Sequence, residues 1–337
     1  MYQMKNVLIT GGAGFIGSNH IRYLLENDAS VKIVNLDVMT YAGTEENLAH
    51  LPDETRHVLV KGDICDRELV DKLFHEHDID TVIHFAAESH VDRSITGPAA
   101  FIQTNVVGTF TLLEAARQYW LIEKKLNQEQ CRFHHISTDE VYGTLGQDDP
   151  AFTEATPYAP NSPYSASKAG SDHLVRAYFH TYGLPVTMSN CSNNYGPNQH
   201  DEKFIPTVIR SCVKGEKIPV YGDGTNIRDW LFVKDHCSAV EAIIARGALG
   251  ETYNIGGENE LSNIYIAGLI CDLMDELNPK NKPHRELISF VTDRPGHDWR
   301  YAIDQAKLKR ELNWQPSLRF EQGLRLTVEW YLEKYEG

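Results

Sequence analysis

Two pairs of side chains in this sequence have the chemistry of proton transfer, and the first is Tyr164 with Lys168. These residues are four positions apart, so on a helix they share one face. A tyrosine with a pKa near 10 is a poor base at neutral pH. A lysine cation about 5 Å away, at an effective dielectric constant of about 20, favours the phenolate by about 3 kcal/mol. The pair can therefore accept a proton from a hydroxyl group while a hydride leaves the same carbon.

The second pair is Asp139 and Glu140, adjacent carboxylates that follow a predicted buried strand and the polar residue Thr138. In a continuing strand the two side chains would face opposite ways. Tyr142 and Gly143 predict a turn, which would let both acids serve one ligand. Two acids against one substrate do not both ionise easily, so the pKa of one should rise. One proton donor beside one acceptor suits an elimination, whereas an exposed turn is the ordinary alternative.

Three glycines near the start of the chain predict a dinucleotide site. Gly11, Gly14 and Gly17 lie between an apolar run at 6–9, typical of a buried parallel strand, and a predicted helix. This spacing supplies a tight turn, a close backbone approach to a pyrophosphate and close packing of helix on sheet. A second predicted strand ends in Asp37, an acid placed to bind a ribose diol and to repel a ribose phosphate. The sequence therefore favours NAD over NADP, and an ordinary glycine-rich turn is the alternative.

The elements that must position these groups alternate between strand and helix over the first half of the chain. The predicted strands are 6–9, 31–36, 57–61, 81–85, 132–136 and 184–189. The predicted helices are 18–26, one capped by Asp66 that runs to Phe74, one from Pro98 through Ala116, and one that begins near Pro163. Such alternation predicts an α/β fold with a Rossmann-type, doubly wound parallel sheet.

The alternation loosens after about residue 190, where prolines break the chain into short pieces. We therefore predict an NAD-binding Rossmann domain over residues 1–190 and a smaller mixed α/β C-terminal substrate-binding lobe over residues 191–337. A strand-like run at 252–255 predicts that a segment near 229–262 returns to the Rossmann domain.

Composition disfavours several classes of protein. The chain has 337 residues, 42% of them hydrophobic, and a formal net charge of −15, which argues against nucleic acid as a partner. No apolar run approaches the roughly 20 residues that a membrane-spanning helix needs, and we expect neither a membrane partner nor a signal peptide. Six scattered cysteines without metal-ligand spacing predict reduced thiols, no bound metal and a cytoplasmic location.

Several longer motifs together carry a family resemblance. They are TGGAGFIG (10–17), AAESHVDRSI (86–95), STDEVYG (137–143), YSASK (164–168), CSNNYGP (191–197), RDWLFV (228–233) and DRPGH (293–297). Taken together, they resemble the dTDP-glucose 4,6-dehydratases, which belong to the extended short-chain dehydrogenase/reductase group. The resemblance covers nearly the whole chain.

The resemblance implies a three-step reaction in which NAD is used and regenerated. Tyr164 would deprotonate the sugar C4 hydroxyl as hydride moves to the nicotinamide, while Lys168 lowers the pKa of the tyrosine and holds the nicotinamide ribose. Glu140 would then remove the C5 proton, and Asp139 would protonate the departing C6 hydroxyl. Thr138 would donate a hydrogen bond near the C4 oxygen. Hydride returns to C6, and the product is a 4-keto-6-deoxy sugar nucleotide.

The resemblance also implies binding residues beyond the three glycines. Those for the cofactor are Phe15, Ile16, Asp37, Asp63, Ile64, Ala87, Ser89, Thr104, Tyr164, Lys168 and Asn194. Those for the nucleotide-sugar substrate are His90, Thr138, Asn193, Lys203, Phe204, Pro219, Tyr221, Arg228, Asn263, Asp293, Arg294 and His297. In so acidic a chain, Lys203, Arg228 and Arg294 are sensible cations for a diphosphate.

The long helices at 97–120 and 163–182 resemble those of the dimeric four-helix bundle in this family, which implies a homodimer. Three alternatives stay open at this point. A sugar-nucleotide 4-epimerase would share the glycines, Tyr164 and Lys168 but would not need the acid pair. A 4,6-dehydratase could instead act on UDP- or CDP-glucose. A non-catalytic NAD-sensing protein would need neither pair of reactive side chains.

Overall fold

The chain folds around a seven-stranded parallel sheet, seen here in a computed structural model that describes residues 1–293 and 298–336. Its strands are β1 (Asn6–Thr10), β2 (Lys32–Asp37), β3 (His57–Lys61), β4 (Thr81–His84), β5 (Arg132–Thr138), β6 (Val186–Cys191) and β10 (Thr252–Ile255). They lie in the order β3-β2-β1-β4-β5-β6-β10. The strand order reverses direction between β1 and β4, where a crevice opens at the carboxyl ends of the strands. The Rossmann-type fold is therefore confirmed.

Helices cover both faces of this sheet. They are α1 (Phe15–Asn27), α2 (Arg67–Glu76), α3 (Val91–Thr96), α4 (Pro98–Phe101), α5 (Thr109–Ala116), α6 (Pro163–Tyr182) and α8 (Val233–Arg246). Neighbouring residues of β1 show how the core divides. Val7 and Ile9 pack in a cluster with residues of α1 and α8, whereas Leu8 packs in another with residues of α2, α5 and α6. Alternation along a strand thus buries both faces of the sheet.

The sixth strand begins two residues later than predicted. The predicted range was 184–189, and the observed strand is Val186–Cys191. Gly183 ends α6 in a left-handed conformation, with φ of 72°, and the Leu184 N–H bonds back to the Tyr178 carbonyl. Leu184 therefore belongs to the helix cap, and Pro185 has no N–H to offer a sheet.

The helix predicted from Pro98 through Ala116 continues to Glu123. The α-helical pieces α4 and α5 alternate with wider π-helical turns at Ile102–Gly108 and Arg117–Glu123. A π turn shifts the side chains that follow it relative to an ideal 3.6-residue period. The periodic pattern therefore indicated a helix here but could not reveal its widened turns.

Most of the remaining elements form a smaller mixed lobe. Its strands are β7 (Asn193–Tyr195), β8 (Ile218–Tyr221), β9 (Ile227–Phe232), β11 (Glu260–Ser262) and β12 (Ile288–Val291), and its helices are α7 (Phe204–Lys214), α9 (Asn263–Leu277) and α11 (Phe320–Glu336). Helix α10 (Ala306–Leu312) instead packs in the core of the large sheet, in the cluster that holds Val7 and Ile9. Short 3-10 turns lie at Glu45–Leu48, Glu54–Arg56, Asp139–Tyr142 and His284–Leu287. Among the described residues, no helix is both long and apolar enough to cross a bilayer.

The segment near 229–262 divides between the two sheets. As predicted, 252–255 forms a strand of the large sheet, where β10 pairs in parallel with β6. Strands β9 and β11 instead pair with each other in a small sheet. The domain boundary at residue 190 stays a prediction.

Candidate active site

The glycine-rich turn brings the start of α1 to the crevice between β1 and β4. Gly11 has a φ of 72°, and a Cβ there would lie 2.7 Å from the Ala86 Cα. At Gly17 a Cβ would lie 2.3 Å from the Gly11 carbonyl oxygen, so only glycine allows this close packing. Gly14 caps α1 without a side-chain hydrogen bond, and the first turn holds no acid. The backbone N–H groups of this turn are therefore suited to an anion such as a pyrophosphate.

Asp37 ends β2 beside the glycine-rich turn. Its carboxylate accepts hydrogen bonds from the Ala13 N–H at 2.9 Å and the Met39 N–H at 2.8 Å. The side chain is buried yet lines the same cavity as the glycines. A carboxylate has about four lone-pair sites, so two remain for a ribose diol.

One cavity of about 450 Å³ collects the predicted cofactor residues. It is lined by Gly11, Gly14, Phe15, Ile16, Gly17, Asp37, Asp63, Ile64, Ala87, Ser89, Thr104, Tyr164, Lys168 and Asn194. These are all of the positions predicted for the cofactor. The three further catalytic predictions, Thr138, Asp139 and Glu140, line it too.

Helix α6 presents Tyr164 and Lys168 to this cavity from its first turns. The helix begins with a reciprocal cap in which Ser162 accepts from the Ser165 N–H and the Ser165 hydroxyl accepts from the Ser162 N–H. Both reactive side chains are buried, and the Lys168 Nζ donates to the Ile136 carbonyl at 2.7 Å. The cap and the strand thus fix where the pair lies.

The acidity of Tyr164 differs from the sequence expectation. Burial, then the charge of Glu140, raise the pKa of Tyr164 well above its ordinary value, whereas a hydrogen bond with Thr138 lowers it. Burial also lowers the pKa of Lys168. The expected net decrease in the tyrosine pKa is therefore wrong for the protein alone, because desolvation of the phenolate is the largest contribution and raises this pKa.

The chain turns directly after β5, as predicted for the acid pair. Asp139–Tyr142 forms a 3-10 turn, Gly143 follows with a φ of 101°, and the Tyr142 hydroxyl donates to the Asn254 side chain of β10 at 2.9 Å. Both Asp139 and Glu140 consequently reach the same cavity.

The two acids have different surroundings. Asp139 is 2% exposed, and its Oδ2 has no hydrogen-bond partner among the described residues. Burial, then the charges of Glu140 and Asp229, raise the pKa of Asp139 well above its usual range. Glu140 is only partly buried. Asp139 is therefore suited to hold a proton and Glu140 to accept one, which agrees with the expectation that one pKa rises.

The three predicted cations have different positions. Lys203 lines the cavity and precedes α7. Arg228 is buried, donates to the carbonyls of Ile227 and Asp298 at 2.7 and 3.0 Å, and stacks over the Tyr301 ring. Its charge lowers the pKa of Asp139, which places it near the acid pair although it does not line the cavity. Arg294, like the predicted His297, lies outside the described residues.

The remaining substrate predictions divide between the cavity and the smaller lobe. Thr138 and Asn193 line the cavity. His90, Phe204, Pro219, Tyr221, Asn263 and Asp293 do not. Four of these residues lie on or near β8. Pro219 and Tyr221 belong to that strand, and Asp293 follows β12, which pairs with it. Asn263 begins α9. The structure thus places these four away from the reactive pairs, on the smaller lobe.

Sequence reasoning missed a buried asparagine that organises one wall of the cavity. The Asn105 side chain donates to the Glu88 carbonyl at 3.0 Å and to the Ser167 hydroxyl at 2.8 Å, and accepts from the Glu88 N–H at 2.9 Å. It therefore ties the loop after β4 to α6. A polar residue within a helix of mostly apolar pattern was the sequence feature that could have identified Asn105.

A second missed residue, Glu202, lines the mouth of the cavity beside Lys203. Its carboxylate lies 3.5 Å from His90, 3.6 Å from Arg93 and 3.7 Å from His200. The ion pair between Glu202 and Arg93 therefore holds the segment between β7 and α7 against α3. Among the described residues, no group of three or more His, Cys, Asp or Glu side chains is arranged to hold a metal ion.

Comparisons with known proteins agree with this geometry. The family model for GDP-mannose 4,6 dehydratase matches residues 8–327. The dTDP-glucose 4,6-dehydratase of Xanthomonas campestris pv. campestris (strain B100) is 58% identical over 331 residues, which cover 98% of this chain and 93% of that protein.

Solved structures show the same fold. The crystal structure of dTDP-glucose 4,6-dehydratase from Bacillus anthracis in complex with NAD superposes with a TM-score of 0.87 at 45% identity, covering 98% of each chain. The UDP-glucose 4-epimerase of Thermotoga maritima, solved with UDP-glucose, superposes with a TM-score of 0.86 at 27% identity, covering 98% of this chain and 99% of that one. Dehydratases and epimerases thus share this fold, so the fold alone does not choose between the two activities.

Proposed function

The chain belongs to the dTDP-glucose 4,6-dehydratase family, and from that premise we propose that it converts dTDP-glucose to dTDP-4-keto-6-deoxy-glucose with NAD as a recycled cofactor. The sequence similarity extends over nearly the whole chain, and the cavity holds the reactive groups that this dehydration needs. The reaction removes water without net oxidation of the sugar.

The cavity fits NAD on two observations. The start of α1 has no side-chain cap and faces the cavity, as a pyrophosphate requires, and Asp37 ends the neighbouring strand at the place of a ribose diol. When bound, NAD supplies the acceptor and later the donor of the hydride. Asp37 also disfavours the extra phosphate of NADP by charge repulsion.

Tyr164 is the proposed base for the sugar C4 hydroxyl. Its phenolate oxygen is the atom that accepts this proton, and burial and the charge of Glu140 disfavour the phenolate because they raise the pKa of Tyr164. The hydrogen bond with Thr138 lowers the pKa of Tyr164. A cation on the same helix face, one turn away, favours the phenolate as well. We assign Lys168 to the nicotinamide ribose and to this electrostatic role.

The acid pair carries out the elimination in this proposal. A ketone at C4 acidifies the hydrogen at C5, so oxidation precedes water loss. Glu140, which is partly exposed to the cavity, takes the C5 proton. Asp139, whose raised pKa favours the protonated form, gives its proton to the departing C6 hydroxyl, and water leaves.

The single observation that carries the choice of dehydratase over epimerase is the burial of Asp139 beside Glu140 at the end of β5. An epimerase needs only a base and a hydride acceptor, so a desolvated carboxyl group of raised pKa would have no task there. Placing such a group in the cavity costs free energy, which a proton-donor role explains.

We assign the nucleotide and diphosphate of the substrate to the smaller lobe. Lys203 lines the cavity and the charge of Arg228 acts on Asp139, and both observations support assigning these two cations to the diphosphate. Tyr221 is half exposed on β8 and presents a ring for base stacking. The assignment accounts for the predicted residues that lie outside the cavity.

We also propose that the protein is a homodimer and that it is located in the cytoplasm. Ile102, Val107, Phe110 and Ile122 are exposed apolar side chains of the helix 98–123, and such a row suits a second copy of the chain. All six cysteines are free thiols, which agrees with a reducing compartment.

Phe110→Lys should convert the dimer to a monomer in analytical ultracentrifugation. An unchanged sedimentation coefficient would exclude this helix face as the dimer interface.

The test of the proposed activity is turnover of dTDP-glucose in deuterated water. We expect absorbance in alkali from the 4-keto-6-deoxy product and deuterium at C5. Glu140→Gln should abolish the deuterium incorporation, while Glu129→Gln, at a position distant from the cavity, serves as the matched control. A galactose product without deuterium would favour the epimerase, and parallel assays with UDP- and CDP-glucose test the nucleotide.

A further inference from the structure

A buried carboxylate next to the catalytic lysine is not used by the proposed chemistry. Asp172 follows Lys168 by one helical turn on α6 and is 2% exposed. Its Oδ2 accepts a hydrogen bond from the Ser137 hydroxyl at 2.8 Å, and its Oδ1 lies 3.1 Å from Nε2 of His135. Asp172 therefore connects α6, which carries Tyr164 and Lys168, to β5, which ends at the acid pair.

The buried ammonium group of Lys168 is sensitive to the charges around it. Its side chain is 5% exposed, and burial lowers its pKa because an ammonium loses its hydration inside the protein. Its Nζ donates to the Ile136 carbonyl, a neutral acceptor that does not balance its charge. The negative charge of Asp172 opposes the effect of burial and raises the pKa of Lys168.

We propose that Asp172 is a positioning residue for Lys168, whose carboxylate, held by Ser137 and His135, keeps the lysine cationic and fixes α6 against the end of β5. The inference rests on the proposed function, since a cationic Lys168 matters to catalysis only if Tyr164 exchanges a proton with the substrate. It adds to that function the group that maintains the charge of the lysine.

The titratable groups around the pair come from several elements. Those that face Asp172 are Lys168 and His173 of α6, His135 of β5, Tyr142 of the turn after β5 and Tyr158 of the following loop. Those that face Lys168 besides Asp172 are Cys191 of β6, His84 of β4 and His135.

Among these groups, Lys168 is the one whose positive charge the Asp172 carboxylate is proposed to balance near neutral pH. Burial lowers the pKa of both His84 and His135 well below the usual range, so the two imidazoles are neutral. Burial raises the pKa of Asp172 to about 6, and Lys168 and the Ser137 hydroxyl oppose that rise. The carboxylate is therefore mostly ionised at pH 7 to 8, where it can balance the lysine.

The direct test is Asp172→Asn, which preserves the shape of the side chain and removes its charge. We expect the alkaline limb of the kcat–pH profile with dTDP-glucose to move to lower pH by about one unit or more, because Lys168 loses its proton more easily. Ser137→Ala is the matched control: it removes one hydrogen bond to Asp172 but no charge, so its alkaline limb should stay in place. A profile for Asp172→Asn that falls uniformly without moving would overturn the inference.

A stability measurement covers the case in which Asp172→Asn folds poorly. In the Lys168→Met background the buried cation is gone, so Asp172→Asn should lower Tm less than it does in the wild type. Equal losses of Tm in the two backgrounds would contradict a charge interaction between Asp172 and Lys168. Absence of turnover by the wild type would instead contradict the proposed function, so the two failures are distinguishable.

Discussion

The cofactor half and the substrate half of this site are built in different ways. Every residue predicted for the cofactor lines one cavity, whereas among the substrate predictions that the structure describes only Thr138, Asn193 and Lys203 do so. Most of the cofactor residues follow the carboxyl ends of adjacent parallel strands, which the sheet brings to one edge. The substrate residues come from small sheets and helices whose placement depends on packing between lobes. Backbone hydrogen bonding fixes the first half, and tertiary contacts position the second.

The largest expected effect belongs to Tyr164, where the two halves meet. Tyr164→Phe removes the phenolic oxygen that takes the C4 proton and should lower kcat by about a thousandfold, within the usual range for general base catalysis. Single-turnover formation of the reduced cofactor at 340 nm measures this step. Tyr182→Phe, at an exposed position on the same helix, is the control. A near-normal rate of cofactor reduction would remove Tyr164 from the mechanism.

Arg228 tests the substrate half alone. Arg228→Ala should raise the Kd for dTDP by about 10- to 100-fold, the value of a charge-assisted hydrogen bond, and leave the Kd for NAD unchanged. Titration calorimetry with each ligand separates the two effects. The variant also removes hydrogen bonds to the carbonyls of Ile227 and Asp298, so a lower Tm is expected. Unaltered dTDP binding by a folded variant would show that the guanidinium serves the backbone only.

Asp37 is the matching test of the cofactor half. Asp37→Asn should raise the Kd for NAD by about tenfold and leave dTDP binding intact, because the amide is a weaker acceptor for ribose hydroxyls. It should also narrow the preference for NAD over NADP, since the repelling charge is gone. Fluorescence titration of the apoprotein with both cofactors gives the two constants. A variant that still rejects NADP as strongly as the wild type would assign that selectivity to another residue.

The effect with the least bearing on turnover concerns stability beneath the cofactor half. His20 of α1 and His236 of α8 are fully buried with no hydrogen-bond partner for either ring among the described residues, and burial lowers the pKa of each to about 3. An unfolded histidine has a pKa of about 6.5, so between these values the unfolded state binds more protons. Stability should therefore fall as pH decreases through this window, by up to about 1.4 kcal/mol per pH unit for each histidine.

Urea unfolding at pH 7, 5.5 and 4.5 measures that slope. His236→Leu should flatten it, while His50→Leu, at an exposed position outside the helices, should not. An identical slope in His236→Leu and the wild type would mean that other groups, such as the buried His134, dominate the acid response.

Local sequence patterns predicted most of the cofactor half because they encode local geometry. The strand–glycine–helix motif fixed the first turn, and the four-residue spacing placed Tyr164 and Lys168 on one face of α6. The same reasoning missed Asn105 and Glu202, since each contacts partners distant in sequence. It also put the start of β6 two residues early, because the helix cap before it uses a hydrogen bond from Leu184.

The sequence by itself determined the alternating α/β fold, the glycine-rich turn, the turn after β5 and the residues of both reactive pairs. Only the tertiary structure decided the proton affinities: Asp139 and Tyr164 both have raised pKa values because surrounding elements exclude water from them. The tertiary structure also directed Arg228 to backbone carbonyls. Spacing along a chain sets which side chains share a face, whereas desolvation depends on what the rest of the molecule packs over that face.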